Sequence, residues 1–89
     1  KRQKAKLLAR KGRMEEGESL ARSAMELVDR TDFLNMRGEV RLDLAEVLIL
    51  SGRIDVVQPT IDEAIDLFRR KENTVMVRRA SSLADAYRT

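Results

Sequence analysis

Residues 8–28 read LARKGRMEEGESLARSAMELV, and residues 48–68 read LILSGRIDVVQPTIDEAIDLF. Each stretch holds a Gly-Arg pair followed by an apolar and an acidic residue, and an Ala stands twelve positions after the Gly. A glycine permits a tight turn between two helices, and a small alanine lets the paired helices approach closely. The sequence therefore repeats one unit, a helical hairpin. Self-similarity at a period of roughly 20–50 residues is typical of stacked repeat arrays.

The rest of the sequence also favours helix. Among 89 residues there are only four Gly and one Pro, and no long stretch alternates apolar and polar residues as a strand would. We therefore predict one all-α domain of antiparallel hairpins, with a hairpin over 1–31, a hairpin over 32–72 and a closing helix over 73–89. The five predicted helices cover Lys1 to about Lys11, Arg13 to about Arg30, Phe33 to about Ser51, Ile54 to Lys71 and Thr74 to Arg88.

Particular residues mark where these helices begin and end. Gly12 and Gly52 are predicted to end helices as C-terminal caps, and Asp32 and Asn73 are predicted N-caps. Pro59 conflicts with a regular helix, so we expect a kink just before it or a helix that begins later. The third predicted helix has an apolar surface wide enough to pack against more than one neighbour.

The repeated unit resembles the tetratricopeptide repeat family. The glycine near the end of the first helix of each unit, the alanine twelve residues later and the large apolar residue four beyond it fit that family's repeat. These residues are Gly12, Ala24 and Val28 in one unit, and Gly52, Ala64 and Phe68 in the other. The period here is forty residues rather than the usual 34, and Leu8 and Leu48 replace the early aromatic. The resemblance implies a short right-handed solenoid.

A second resemblance concerns the amino-acid sequences of residues 21–53 and 66–80. These stretches look like the repeat region near the C-terminus of large bacterial signalling proteins, which join a nucleotide cyclase or an ATPase regulator domain to tetratricopeptide repeats. The resemblance implies that the chain is a fragment of a longer protein. Apolar residues such as Leu7 and Leu8 would then be exposed, and we expect that they could drive homodimer formation.

Charge is distributed unevenly along the chain. The net charge is +3, but residues 1–13 hold seven Lys and Arg and no acid, so the remainder is mildly acidic. Such a basic segment is usually a solvated helix face, although it could also bind phosphates. No apolar run reaches the ~20 residues that a membrane helix needs, and we expect a cytoplasmic protein.

No residue pattern predicts catalysis. The chain has no His and no Cys, so the commonest general base and the thiolate ligands are missing. Ser81 and Ser82 therefore have no His to activate them. The acids Asp62, Glu63 and Asp66 lack the glycine-punctuated loop of a calcium site. We predict a protein that is not an enzyme and that needs no cofactor or metal.

The predicted function is protein–protein interaction. By resemblance, the first helix of each hairpin lines a groove that takes a peptide, a helix or a neighbouring domain, either from an external partner or from the same parent chain. The outward polar residues predicted to bind the partner are Lys6, Arg13, Asn35, Glu39, Asp43, Glu46, Arg78 and Ser82. Their order changes from basic to acidic, which favours a partner with the opposite order of charge.

Two other functions remain open from the sequence. One is a nucleic-acid-binding module that uses the basic segment 1–13 and whose affinity falls steeply with salt. The three aromatic residues all lie on apolar stripes, so no base-stacking platform is predicted. The other is a structural dimerisation element with no groove ligand.

Overall fold

The computed structural model describes residues 14–88, and this part of the chain is helical and contains no strand. It confirms the predicted all-α class. The first predicted helix, over Lys1 to about Lys11, and its cap Gly12 lie outside the described residues. The α-helices are α1 (Met14–Val28), α2 (Leu34–Leu50), α3 (Val57–Arg70) and α4 (Thr74–Arg88), and a 3-10 helix (Ile54–Val56) precedes α3.

Helices α1 and α2 run antiparallel. Arg53, just beyond the end of α2, pairs with Glu18 near the beginning of α1 at 3.1 Å. At the opposite end of the pair, Asp29 follows α1 and accepts a hydrogen bond of 3.3 Å from Arg37 in the first turn of α2. The two helices therefore form an antiparallel pair, which joins the second helix of the predicted hairpin over 1–31 to the first helix of the predicted hairpin over 32–72.

Helices α3 and α4 form a second antiparallel pair. The hydroxyl of Tyr87, near the end of α4, donates to Gln58 near the beginning of α3 at 2.9 Å. The side-chain amide of Asn73 donates to Asn35 at 3.1 Å, which joins the beginnings of α4 and α2. Helices α2 and α4 consequently point the same way, with α3 returning between them.

Helix α2 is the centre of the core. It packs against both α1 and α3, as its wide apolar surface predicts, and α3 packs in turn against α4. The largest fully buried side chains lie on α2 and α3; they are Val40, Leu44, Val47, Leu48, Val57, Ile61 and Phe68. Burying each such side chain stabilises the fold by roughly 1.5–3 kcal/mol.

Some positions on the predicted apolar stripes are exposed. Leu20 and Leu27 of α1 are exposed by 41% and 63%, and Met36, Leu50 and Ile54 are also exposed. Their helical spacing would place these apolar residues on the inward faces, but they lie outside the core. Among the described helices α1 packs chiefly against α2, so a narrow band around Ala21 is enough to form that contact.

A glycine that the repeat does not predict sets the distance between α2 and α3. Gly38 is buried, and a Cβ atom added to it would lie 2.6 Å from Cε1 of the Phe68 ring. Real Cβ atoms do not approach a neighbour this closely, so the ring occupies the space that any other residue would need. The aromatic ring therefore packs directly against the backbone of α2.

The ends of α2 and α3 have the same geometry. Gly52 has a φ of +77°, its N–H donates to Ile49 at 3.1 Å, and the N–H of Arg53 donates to Leu48 at 2.9 Å. This is a Schellman motif, and it confirms the predicted role of Gly52. The end of α3 repeats it with Glu72 in place of glycine, at a φ of +59°.

The predictions for the N-termini of the helices are confirmed in part. Asn73 is an N-cap as predicted, because its Oδ1 accepts the N–H of Met76 at 3.1 Å. The prediction for Asp32 was wrong, since α2 begins one residue later with Phe33 at the N-cap and without a side-chain cap. Pro59 is the third residue of an α-helix that begins at Val57, as the late-start alternative predicts. Its missing N–H would have no acceptor within the helix there.

Candidate partner-binding cleft

A cleft of about 540 Å³ lies between α2 and α4. It brings together four of the eight predicted partner-binding residues, three from α2 and one from α4. Its lining consists of Glu39, Leu42, Asp43, Glu46, Met76, Arg79, Ser82 and Leu83.

The α2 wall of the cleft is acidic. Glu39, Asp43 and Glu46 stand four and three residues apart, which places them on one face of the helix. All three are half-buried, and Oδ2 of Asp43 is shielded from solvent. Three carboxylates therefore lie along about 10 Å of one helix face.

The α4 wall of the cleft carries a cation, and the floor of the cleft is apolar. Arg79 and Ser82 are exposed on α4, so the cleft has one cation opposite three acids. Met76 and Leu83 are half-buried, and Leu42 beneath them is buried. Apolar surface at the base of a cleft with charged groups around it is the usual composition of a protein-recognition site.

The other predicted partner-binding residues lie elsewhere. Asn35 is half-buried and accepts a hydrogen bond from Asn73, so it joins two helix ends. Arg78 lines a separate depression of about 530 Å³ at the turn between α3 and α4. Lys6 and Arg13 lie outside the described residues, as do Leu7 and Leu8 of the predicted dimer contact.

Sequence reasoning missed half of the cleft lining. Arg79 lies one position along α4 from the predicted Arg78, and one residue turns the side chain by about 100° around the helix. The facing positions Met76, Arg79 and Leu83 follow the spacing of three and four residues. That spacing could have identified them, because the core position Ala80 fixes which side of α4 packs inward.

An ion cluster centred on the buried Arg41 holds the α2 wall in place from the other side. Arg41 is 9% exposed and donates two hydrogen bonds of 2.8 Å to the carboxylate oxygens of Asp29. Its Nε donates to Glu63 of α3 at 2.9 Å, and its Nη1 also donates to the carbonyl oxygen of Arg37. One guanidinium therefore ties together the end of α1, the middle of α2 and α3.

The cluster affects the titration of both partners. The hydrogen bonds from Arg41 lower the pKa of Asp29, although burial acts in the opposite direction. The bonds to Asp29 likewise raise the pKa of Arg41 against the effect of burial. No spacing rule relates residues 29, 41 and 63, so this contact could not be predicted from the sequence.

Between residues 14 and 88, no three His, Cys, Asp or Glu side chains are grouped so that they could hold a metal ion. None of the helices in this range has the length and apolarity needed to cross a membrane. Comparison with protein-family models, with curated proteins and with solved structures finds no match for this chain.

Proposed function

We propose that this chain is a non-catalytic protein-interaction module, which binds a segment of a partner protein or of a neighbouring domain in the cleft between α2 and α4. The cleft itself is the observation that carries the proposal. It combines an apolar floor with charged walls, and parallel helices from successive hairpins form its two sides.

The repeat pattern of the sequence supports the same function. In the tetratricopeptide arrangement that the sequence resembles, the first helices of successive hairpins line the groove. Helices α2 and α4 are the corresponding helices here, with α2 beginning the second hairpin and α4 closing the domain. We propose that the hairpins stack with the right-handed sense of that family and that the cleft is part of its groove.

The charge of the cleft argues against nucleic acid as its ligand. Three carboxylates face one guanidinium along the walls, so phosphate groups would be repelled. A protein segment is compatible with both walls, because its side chains can carry charges of either sign as well as apolar groups.

Site-specific photo-crosslinking tests this function. Ser82 in the cleft and Ser23 on the exposed surface of α1 are each replaced by benzoylphenylalanine, and the full chain is irradiated in lysate of the source organism. We expect a discrete protein adduct from position 82 that survives nuclease, and no such adduct from position 23. The adduct should disappear in the Glu39→Lys/Glu46→Lys variant and in Arg79→Glu, both checked for helicity by circular dichroism.

Two results would contradict the proposal. The same adducts from both positions would show that capture does not depend on the cleft. Loss of the adduct on nuclease treatment would instead favour nucleic-acid binding through the basic segment 1–13.

A further inference from the structure

The turn between α3 and α4 forms a second depression, which is separate from the cleft. Its volume is about 530 Å³, and it is lined by Arg69, Glu72, Asn73, Thr74, Val77 and Arg78. None of these six residues lines the cleft between α2 and α4. Binding in this depression is therefore independent of the proposed function.

The depression carries two guanidinium groups that have no partner in the described part of the chain. Arg69 and Arg78 are exposed, and neither side chain forms an ion pair or a hydrogen bond with another of residues 14–88. Glu72 also lines the depression, but its carboxylate pairs with neither arginine. Two cations and one anion give the depression a net charge of +1.

The turn between α1 and α2 shows what fills the corresponding space in the preceding hairpin. Helices α2 and α4 begin forty residues apart, which is the period of the sequence repeat. At the first turn, Asp29 accepts hydrogen bonds from Arg37 at 3.3 Å and from Arg41 at 2.8 Å. A carboxylate at the end of α1 is thus neutralised by cations of α2 within the same chain.

The second turn has the reverse charge and lacks the internal partner. Forty residues after Asp29 the chain has Arg69, a cation in place of the acid. Forty residues after Arg37 it has Val77, which is shorter and uncharged. The depression is therefore open at the place where an ion pair closes the first turn.

From this difference between the two turns we infer that the depression binds a carboxylate side chain, Asp or Glu, of a partner protein. The carboxylate lies between Arg69 and Arg78 and has the role that Asp29 has at the first turn. A guanidinium group matches a carboxylate in both charge and hydrogen-bond geometry. An apolar residue next to the acid packs against Val77, which is half-buried in the depression.

The net charge of the depression favours a carboxylate over a phosphate group. A carboxylate carries one negative charge, which balances the net charge of the depression, whereas a phosphorylated side chain carries about −1.5 to −2. The additional charge of a phosphate would be repelled by Glu72, since like charges brought together in a site are costly. Glu72 therefore makes the depression selective for the singly charged group.

Five blocked pentapeptides test the inference with the full chain. The acidic peptide is acetyl-Gly-Leu-Glu-Leu-Gly-amide, and three others carry Gln, Lys or phosphoserine in place of Glu. In the fifth peptide Gly replaces both Leu residues. Affinity and location are measured by NMR, from the chemical shifts of the Thr74 and Val77 amides and of the side-chain Nε–H groups of Arg69 and Arg78.

The acidic peptide is expected to bind at least about tenfold more tightly than the Gln and Lys peptides, and no less tightly than the phosphoserine peptide. It should also bind more tightly than the peptide without Leu, and its affinity should fall as salt rises from 50 to about 500 mM. Glu72→Gln should strengthen binding of the phosphoserine peptide more than that of the acidic peptide.

A pair of double variants locates the site. Arg69→Gln/Arg78→Gln should remove the preference for the acidic peptide over the Gln peptide. The matched variant Arg22→Gln/Arg30→Gln removes the same charge from α1 and should keep that preference. Both variants change side chains that lie outside the core, and circular dichroism checks that each remains helical.

Equal affinities of the acidic and Gln peptides would overturn the inference, as would an unchanged preference in Arg69→Gln/Arg78→Gln. Binding of the phosphoserine peptide about tenfold more tightly than the acidic peptide would overturn the carboxylate as the ligand. Equal binding without Leu would overturn the apolar contact with Val77. These results differ from a failure of the proposed function, because that function is tested by crosslinking at Ser82 in the cleft.

Discussion

Glu72 adopts a backbone conformation that glycine adopts more easily. Its φ is +59°, and it stands at the position in the α3 cap that Gly52 occupies in the α2 cap. A Cβ atom makes this region unfavourable by about 1–2 kcal/mol, whereas glycine loses some of that gain through the entropy of the unfolded chain. We expect Glu72→Gly to raise the free energy of unfolding by about 1 kcal/mol in urea titration.

The matched control for this prediction is Glu72→Ala. It removes the same charge and side chain but keeps the Cβ atom, so the unfolding free energy should stay close to that of the wild type. Equal stabilisation by Ala and by Gly would show that the side chain, rather than the backbone conformation, is responsible.

At Gly38 we expect the opposite preference, because replacing this glycine should destabilise the protein. Alanine is the better helix former by about 1 kcal/mol, but its Cβ would lie 2.6 Å from the Phe68 ring, which has no room to move within the core. Overpacking of this kind costs about 1–3 kcal/mol before the gain in helix propensity. We expect Gly38→Ala to lower the unfolding free energy by about 1–2 kcal/mol, measured by urea denaturation.

A double-mutant cycle isolates that contact. In a Phe68→Leu background the ring edge is gone, so Gly38→Ala should be neutral or stabilising there. A loss of stability that is the same in both backgrounds would mean that the ring is not the obstacle.

The helix ends show which local signals could be read from the sequence. Gly52 and Asn73 were recognisable because glycine at a C-cap and a side-chain amide at an N-cap act within a few residues. Asp32 has the right chemistry for a cap, but α2 begins after Phe33, and the N–H of Phe33 is directed at the hydroxyl of Thr31 at 3.3 Å. The choice between neighbouring caps depends on how the chain enters the core, which local sequence does not encode.

This difference between two candidate caps is measurable. Asn73→Ala removes the bond to the N–H of Met76 and the bond to Asn35, so we expect it to lower the unfolding free energy by about 1–2 kcal/mol. Asp32→Ala should change it by less than about 0.5 kcal/mol, because the residue is exposed and does not cap α2. Chemical denaturation of the two variants in parallel checks the pair, and similar losses for both would contradict the assignment.

The tertiary contacts were less accessible to sequence reasoning than the helices. The contacts of Arg41 with Asp29 and Glu63 join residues twelve and twenty-two positions apart, which no local pattern relates. The acidic wall of the cleft was predicted because its residues share one helix face. Arg79 and the apolar floor were not, because they depend on how α4 is rotated against α3.

The Arg41 cluster makes the stability of the whole molecule sensitive to acid. Because Arg41 lowers the pKa of Asp29 below its ordinary value of 3.8, this carboxylate stabilises the fold fully at a pH well above 4. The stabilisation is lost as pH falls below that value towards the lower pKa of the folded state. We expect the unfolding free energy of the wild type to decline over this range more steeply than that of Asp29→Asn.

The measurement is a series of urea titrations between pH 2 and pH 7. Asp66→Asn is the matched control, because Asp66 pairs with Arg70 at the surface with both side chains about 60% exposed. Its pH profile should follow that of the wild type. A profile for Asp29→Asn that is as steep as the wild type would show that the acid sensitivity arises elsewhere.

Neighbouring positions of α2 have separate roles. Val40, Leu44 and Val47 hold the core together, while the adjacent Glu39, Asp43 and Glu46 face the cleft. The residues at the cleft positions could therefore be substituted, in evolution or by design, with little effect on the buried positions. Close relatives of this chain could therefore bind different partners while keeping the same fold.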